Sequence, residues 1–244
     1  MTPPDIPLAT LRQIAVNATE IREGDRERLT EQLGREPRGL VGIGARCACG
    51  DPAVTITYPR LPDGSPFPTL FYLSLPWLVK EISRQESAGE MVAYNERLAS
   101  DPEFAAAHEA AHQSFVARRD LLDVVPEIAD KSAGGMPDRV KCLHALVGFA
   151  LAVGPGVCPA GDMALDAAGW DPQVCRCNKS DDDKSDDGDE AAKLAGAGAG
   201  TRAGTEIRAG AGVRAGVEKF ASAAPNGDAA EQPTVSVNEP KDGE

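Results

Sequence analysis

Two Cys-x-Cys pairs, Cys47/Cys49 and Cys175/Cys177, give the sequence four thiols at metal-ligand spacing. Four thiolates are enough to hold one tetrahedral zinc ion. The first pair occurs in a Cys-Ala-Cys-Gly turn that is similar to half of a zinc ribbon, although two intervening residues are more usual there. The alternative is that the two pairs are unrelated surface thiols.

A mixed set of ligands, Cys47, His112, Cys142 and His144, is the second candidate zinc site. Residues two apart on a helix point about 200° away from each other, so Cys142 and His144 cannot both face one ion unless the helix is distorted there. A three-ligand set that omits one of these two is therefore favoured. The alternative is packing, with His144 as a hydrogen-bonded core histidine and Cys142 as a small buried hydrophobe.

The segment His108-Glu109-Ala-Ala-His112 has the pattern of a zinc hydrolase helix. Two histidines one turn apart share a helix face, and the glutamate between them can act as general base on a zinc-bound water. No downstream motif supplies an obvious third ligand. The alternative is a polar helix face with His112 partly buried.

The fourth candidate, and the leading hypothesis for function, is a pocket for a small phosphate-like anion. Gly134-Gly135-Met136-Pro137 precedes a predicted helix whose first turns carry Arg139 and Lys141. A helix N-terminus presents free N–H groups and a positive dipole end to anions. The fold could gather further arginines there, namely Arg38, Arg46, Arg60 and Arg84. The alternative is that these arginines pair with acidic side chains.

The elements that must position these side chains indicate an α+β fold. Alternating β-branched and apolar residues predict three short strands of a small antiparallel sheet, at 39–46, 53–58 and 69–73. Four to five helices are expected to pack on it, including a buried central helix near 137–153 that is apolar on nearly all sides after Lys141. The predicted domain spans 25–170, after an N-terminal arm (1–24) whose apolar spacing fits either a short helix or a loose arm. The acidic and Ala/Gly-rich residues 171–244 are predicted to form a disordered tail.

Charge and hydropathy exclude several classes of protein. The chain has 38 acidic and 25 basic residues, a net charge of −13, so broad attraction to nucleic acid or anionic lipid is not expected. No apolar run reaches the length of a membrane span, and the first residues lack the features of a signal peptide. A cytoplasmic location with reduced thiols is therefore expected.

Several longer segments together resemble the actinobacterial Domain-of-Unknown-Function 501 family over about residues 25–168. The segments are Leu33–Gly39, Arg46-Cys47, Pro59–Leu73, Ser83-Arg84, Ala133–Leu146, Gly154–Val157 and Gly161-Asp162. The resemblance implies no activity, because the family has none assigned. Its members are often encoded near a septum-formation protein and an exopolyphosphatase, which implies a cell-division partner as a further alternative. His108 departs from the family pattern, and Cys175 and Cys177 lie beyond it.

Overall fold

The computed structural model describes residues 4–177 of the chain. Within this range it confirms the α+β fold with a three-stranded antiparallel sheet, order β1-β2-β3. The α-helices are α1 (Leu8–Ile14), α2 (Asp25–Leu33), α3 (Pro76–Ser87), α4 (Glu90–Ser100), α5 (Pro102–Asp120), α6 (Leu143–Val153) and α7 (Pro159–Ala167). The strands are β1 (Leu40–Arg46), β2 (Pro52–Thr57) and β3 (Phe71–Leu73). From residue 178 onward the predicted disordered tail lies outside the described residues.

Helix α6 packs against the sheet and is the centre of the core. Its Phe149 stacks on Phe71 of β3, with ring centroids 5.6 Å apart, and meets Phe115 of α5 edge-on at 5.2 Å. All three rings are completely buried, and burial of a side chain of this size stabilises a fold by about 1.5–3 kcal/mol. Gly148 allows the close approach, because a Cβ there would lie 3.3 Å from the Leu73 nitrogen.

The buried central helix is confirmed, but it begins at Leu143 and not near residue 137. Gly134 and Gly135 have φ angles of 66° and 98°, which residues other than glycine rarely adopt. The chain after them folds back as a loop, in which the Lys141 N–H donates to the Gly134 carbonyl at 2.6 Å. The Val140 N–H donates to the Asn95 side chain at 2.9 Å. These bonds replace the first helical turns that the sequence pattern predicted.

The residues before α2 pack on the domain. Leu11 and Ile14 of α1 are buried, and Thr19 exchanges two backbone hydrogen bonds with Ile43 of β1, at 2.9 and 3.1 Å. This contact sets the start of α2 beside the hairpin that joins β1 and β2. Among residues 4–177, no helix has both the length and the apolar character needed to cross a bilayer.

Candidate metal centre

The tip of the β1–β2 hairpin and the segment after α7 bring four cysteines together. Cys47, Cys49, Cys175 and Cys177, here called the thiol cluster, place their sulfur atoms within 4.8 Å of one another. The Cys177 Sγ lies 3.5 Å from the Cys47 Sγ and 3.6 Å from the Cys49 Sγ. The four-thiolate alternative anticipated this grouping from the two Cys-x-Cys pairs.

The sulfur spacing in the thiol cluster matches a single tetrahedral ion. A zinc–sulfur bond of about 2.3 Å places the sulfurs of a regular tetrahedron about 3.8 Å apart. A disulfide would bring two of them to about 2.05 Å, and all six cysteines are free thiols in this structure. The observed separations of 3.5 and 3.6 Å are therefore close to the edge of a zinc tetrahedron.

The hairpin turn aims the first pair of thiols. The Gly50 N–H donates to the Cys47 carbonyl at 2.8 Å, and the Cys47 N–H donates to the Asp51 carbonyl at 2.9 Å, which closes the loop after β1. Gly50 takes a φ of 96°, which the tight turn requires. Burial raises the pKa of the Cys49 thiol, while the Asp51 N–H that donates to its sulfur acts in the opposite direction.

Helix α2 anchors this turn through two ion pairs. Arg46 binds Asp25 through the two terminal nitrogens of its guanidinium, at 2.8 and 2.6 Å, and also donates to the Gly50 carbonyl at 3.0 Å. Burial acts to raise the pKa of Asp25, but the Arg46 hydrogen bond and charge outweigh it and hold that pKa below its usual value. Arg28 binds Asp51 at 2.7 Å. These contacts hold the hairpin tip against α2.

The second pair of thiols flanks Arg176, which contacts a pair of stacked tryptophans. The Arg176 guanidinium lies 5.2 Å from the centre of the Trp77 ring, which in turn stacks on Trp170 with centroids 5.8 Å apart. The Cys177 N–H donates to the Cys175 sulfur at 3.4 Å, and this bond lowers the pKa of Cys175. Burial and the neighbouring thiols raise the pKa of Cys177. A divalent cation would relieve the repulsion that opposes ionisation of crowded thiols.

The four residues of the mixed site lie in three different places. Cys47 belongs to the thiol cluster. The His112 Nδ1 lies 2.8 Å from the Ser132 hydroxyl. Cys142 and His144 lie together, joined by Glu86 of α3, and one ligand atom from each of these three falls within 4.8 Å of the others. Cys142 caps α6 and lies outside its helical turns, so the angular objection to pairing it with His144 does not apply.

A cavity of about 680 Å³ lies beside this second group, and Cys142 and His144 line it. The Cys142 thiol raises the pKa of His144 to about 9; burial opposes this shift, and Glu86 reinforces it. Sequence reasoning missed Glu86. Its carboxylate accepts a hydrogen bond of 2.7 Å from the N–H of Leu143, which lies 57 residues later in the chain. No local spacing signals such a distant partner.

The two histidines of the zinc hydrolase pattern are engaged with other protein groups. His108 is completely buried, and its Nε2 lies 3.4 Å from the Arg139 carbonyl. Burial lowers the pKa of His108, which favours a neutral ring. Neither His108 nor His112 belongs to the ligand groups found among residues 4–177.

The residues proposed for the anion pocket have separate partners. Arg46 binds Asp25, Arg60 binds Glu127 at 2.9 Å, and Arg84 binds Glu81. Arg38 lies near enough to Asp63 to lower the pKa of that carboxyl, after the larger effect of Ser65. Arg139 and Lys141 lie in the loop before α6, whose first N–H is satisfied by the Glu86 carboxylate. These six residues are absent from the described lining of the 680 Å³ cavity.

Comparison with known proteins adds one family. The profile of a family described as "Protein of unknown function (DUF501)" matches residues 43–166, which is about half of the chain. The matched range contains Cys47, Cys49 and the Glu86–Cys142–His144 group, and it ends before Cys175. No curated protein and no solved structure gives a match.

Proposed function

Because the chain belongs to the DUF501 family of proteins of unknown function, we propose from its own side chains that it is a zinc-binding protein in which the thiol cluster holds a structural ion. The ion would fasten residues 171–177 to the β1–β2 hairpin. The observation that carries this proposal is the set of four sulfurs within 4.8 Å of one another, two of their separations being 3.5 and 3.6 Å.

A structural role follows from the number of ligands. Four protein thiolates complete the tetrahedral shell of zinc and leave no position for a substrate. The Arg46 guanidinium, which is paired with Asp25, donates to the Gly50 carbonyl and so holds the turn that carries the first two thiols. The site therefore has the donor set that a tetrathiolate centre needs.

The segment after α7 needs such a crosslink because little else holds it. Residues 171–175 are all exposed, and Val174 leaves 45% of its surface in solvent. The contacts of Arg176 with Trp77 and with the Ala168 carbonyl at 3.5 Å are modest. An exposed cation–π contact contributes about 0.5–1 kcal/mol, which is less than the cost of ordering several residues.

Metal analysis of the full chain, purified under reducing conditions without added chelator, tests this proposal. We expect Cys175→Ser to lose one equivalent of zinc relative to the unsubstituted chain. Cys158→Ala is the matched control, since Cys158 is a fully buried thiol outside the cluster and its loss should leave the zinc content unchanged. Equal zinc in the unsubstituted chain and in Cys175→Ser would refute the site.

A small anionic ligand and a cell-division partner remain predictions from the sequence. The contacts described for the six basic residues add no support to the anion pocket. The structure of residues 4–177 identifies no surface for a division protein, so the zinc site is the function that the geometry supports best.

A further inference from the structure

The cavity beside α6 has the size and lining of a small-molecule site. Its volume of about 680 Å³ lies within the range of about 300–1,000 Å³ that such sites occupy. Apolar side chains from three elements form most of the wall, including Phe71, Leu73, Val79 and Ala145. Polar side chains complete the lining, among them Cys142, His144 and Lys80 of α3.

Three metal-ligand side chains converge where Cys142 and His144 line the cavity. The His144 Nδ1 lies 3.1 Å from a Glu86 carboxylate oxygen, and Cys142 places its sulfur within 4.8 Å of both ligand atoms. The His144 and Glu86 side chains are 26% and 23% exposed, so the group is partly shielded. Two of its three members, Cys142 and His144, line the cavity. A carboxylate, a thiolate and an imidazole are all ligands of zinc.

Outer hydrogen bonds orient two of the three ligands, His144 and Glu86, for a metal. The His144 Nε2 lies 3.1 Å from the Val79 carbonyl, which can only accept, so Nε2 carries a proton. The Nδ1 faces the Glu86 carboxylate and would give up its own proton when zinc binds there. A histidine that binds a metal through one nitrogen normally donates its other N–H to a carbonyl or carboxylate in this way. The same Glu86 oxygen accepts from the Leu143 N–H at 2.7 Å, which fixes the carboxylate.

We propose that Glu86, Cys142 and His144 bind a second zinc ion, and that its fourth coordination position is open to the cavity. Three protein ligands with one open position are typical of zinc sites that bind a substrate or water, whereas a closed set of four is typical of structural sites. The ligand that fits is a small molecule with an apolar body, which the cavity wall covers, and an oxygen head group that coordinates the ion. This proposal does not depend on the thiol cluster, with which it shares no residue.

Zinc content of single variants of the full chain tests the ion itself. With both sites present, we expect two equivalents in the unsubstituted chain and one in Cys142→Ser. Glu86→Gln keeps an acceptor for the Leu143 N–H but loses the charge, and should weaken zinc binding at this site by more than about 100-fold. His112→Gln is the matched control and should retain both equivalents of zinc, because His112 contacts the Ser132 hydroxyl and does not belong to the Glu86–Cys142–His144 group.

Cobalt substitution of the Cys175→Ser variant tests the open position. In this variant the thiol cluster is impaired, so the visible cobalt spectrum reports on the second site. Octanohydroxamate should change that spectrum and bind at least about 100-fold more tightly than acetohydroxamate, since each buried methylene adds about 0.8 kcal/mol.

Three results would overturn the proposal. Unchanged zinc in Cys142→Ser would do so, as would a cobalt spectrum that neither hydroxamate alters. The third is a metal-free group in which Cys142 alkylates rapidly with iodoacetamide, because that result assigns Cys142 a nucleophilic role. Zinc content of Cys175→Ser separates these failures from a failure of the thiol cluster, since only the cluster contains Cys175.

Discussion

The most direct energetic consequence of the thiol cluster is that stability should depend on the free zinc concentration. Cys49 and Cys177 lie 128 residues apart in the chain, so their sulfurs meet only in the folded state. A ligand that binds the folded but not the unfolded chain stabilises it by RT ln(1 + [L]/Kd). Above the dissociation constant, each tenfold rise in free zinc should therefore add about 1.4 kcal/mol for each occupied site.

Urea unfolding in zinc buffers measures this dependence. With both proposed sites occupied, the free energy of unfolding should rise by about 2.8 kcal/mol per tenfold increase in free zinc. Cys175→Ser and Cys142→Ser should each reduce the slope to about 1.4 kcal/mol. Cys158→Ala should lower the free energy of unfolding by the same amount at every zinc concentration, because its thiol is buried in the core. The dependence on free zinc should stay unchanged.

The slope distinguishes metal binding from a merely structural effect of losing a thiol. A substitution that only weakens packing shifts the line without changing its gradient. Identical gradients for the unsubstituted chain and Cys175→Ser would refute the reasoning for the thiol cluster. A gradient of about 1.4 kcal/mol in the unsubstituted chain that persists in Cys142→Ser would refute the second site alone.

Four further predictions concern the scaffold. Asp25→Asn should lower the free energy of unfolding by about 3 kcal/mol in urea denaturation, since it leaves the Arg46 guanidinium buried without its partner; a loss below about 1 kcal/mol would contradict this. Because Arg46 holds the pKa of Asp25 below its usual value, the carboxylate's stabilisation should be complete above the unfolded pKa of about 3.9, and a pH series should show its loss as pH falls through the folded pKa. Gly161→Ala should lower Tm far more than Gly148→Ala. The carbon added at Gly161 would lie 2.3 Å from a carbonyl oxygen of α6, whereas the carbon added at Gly148 would lie 3.3 Å from its nearest neighbour. Asp101→Ala should lower Tm whereas Asp101→Asn should largely preserve it, because the Asp101 side chain accepts from the Phe104 N–H at the start of α5 at 3.0 Å; equal Tm values for these two variants would count against the cap.

Local patterns were sufficient for much of the fold. Alternating apolar residues located the three strands. Helices α3 and α5 begin at Pro76 and Pro102, and proline is favoured at the first position of a helix. These features depend on residues close together in the chain, whose propensities act before any distant contact forms. The start of α6 was placed too early, because the loop before it depends on Asn95, which is 45 residues away.

The amino-acid sequence by itself determined the α+β class and supplied two Cys-x-Cys half-sites, each of which is local. Only the tertiary structure decided that these halves meet, that Glu86 joins Cys142 and His144, and that Arg46 forms an ion pair with Asp25. Each of these contacts joins residues far apart in the chain, and no periodicity in the sequence encodes their meeting. They depend on the register of the sheet and the packing of α3 and α6, which set the distances between side chains on different elements.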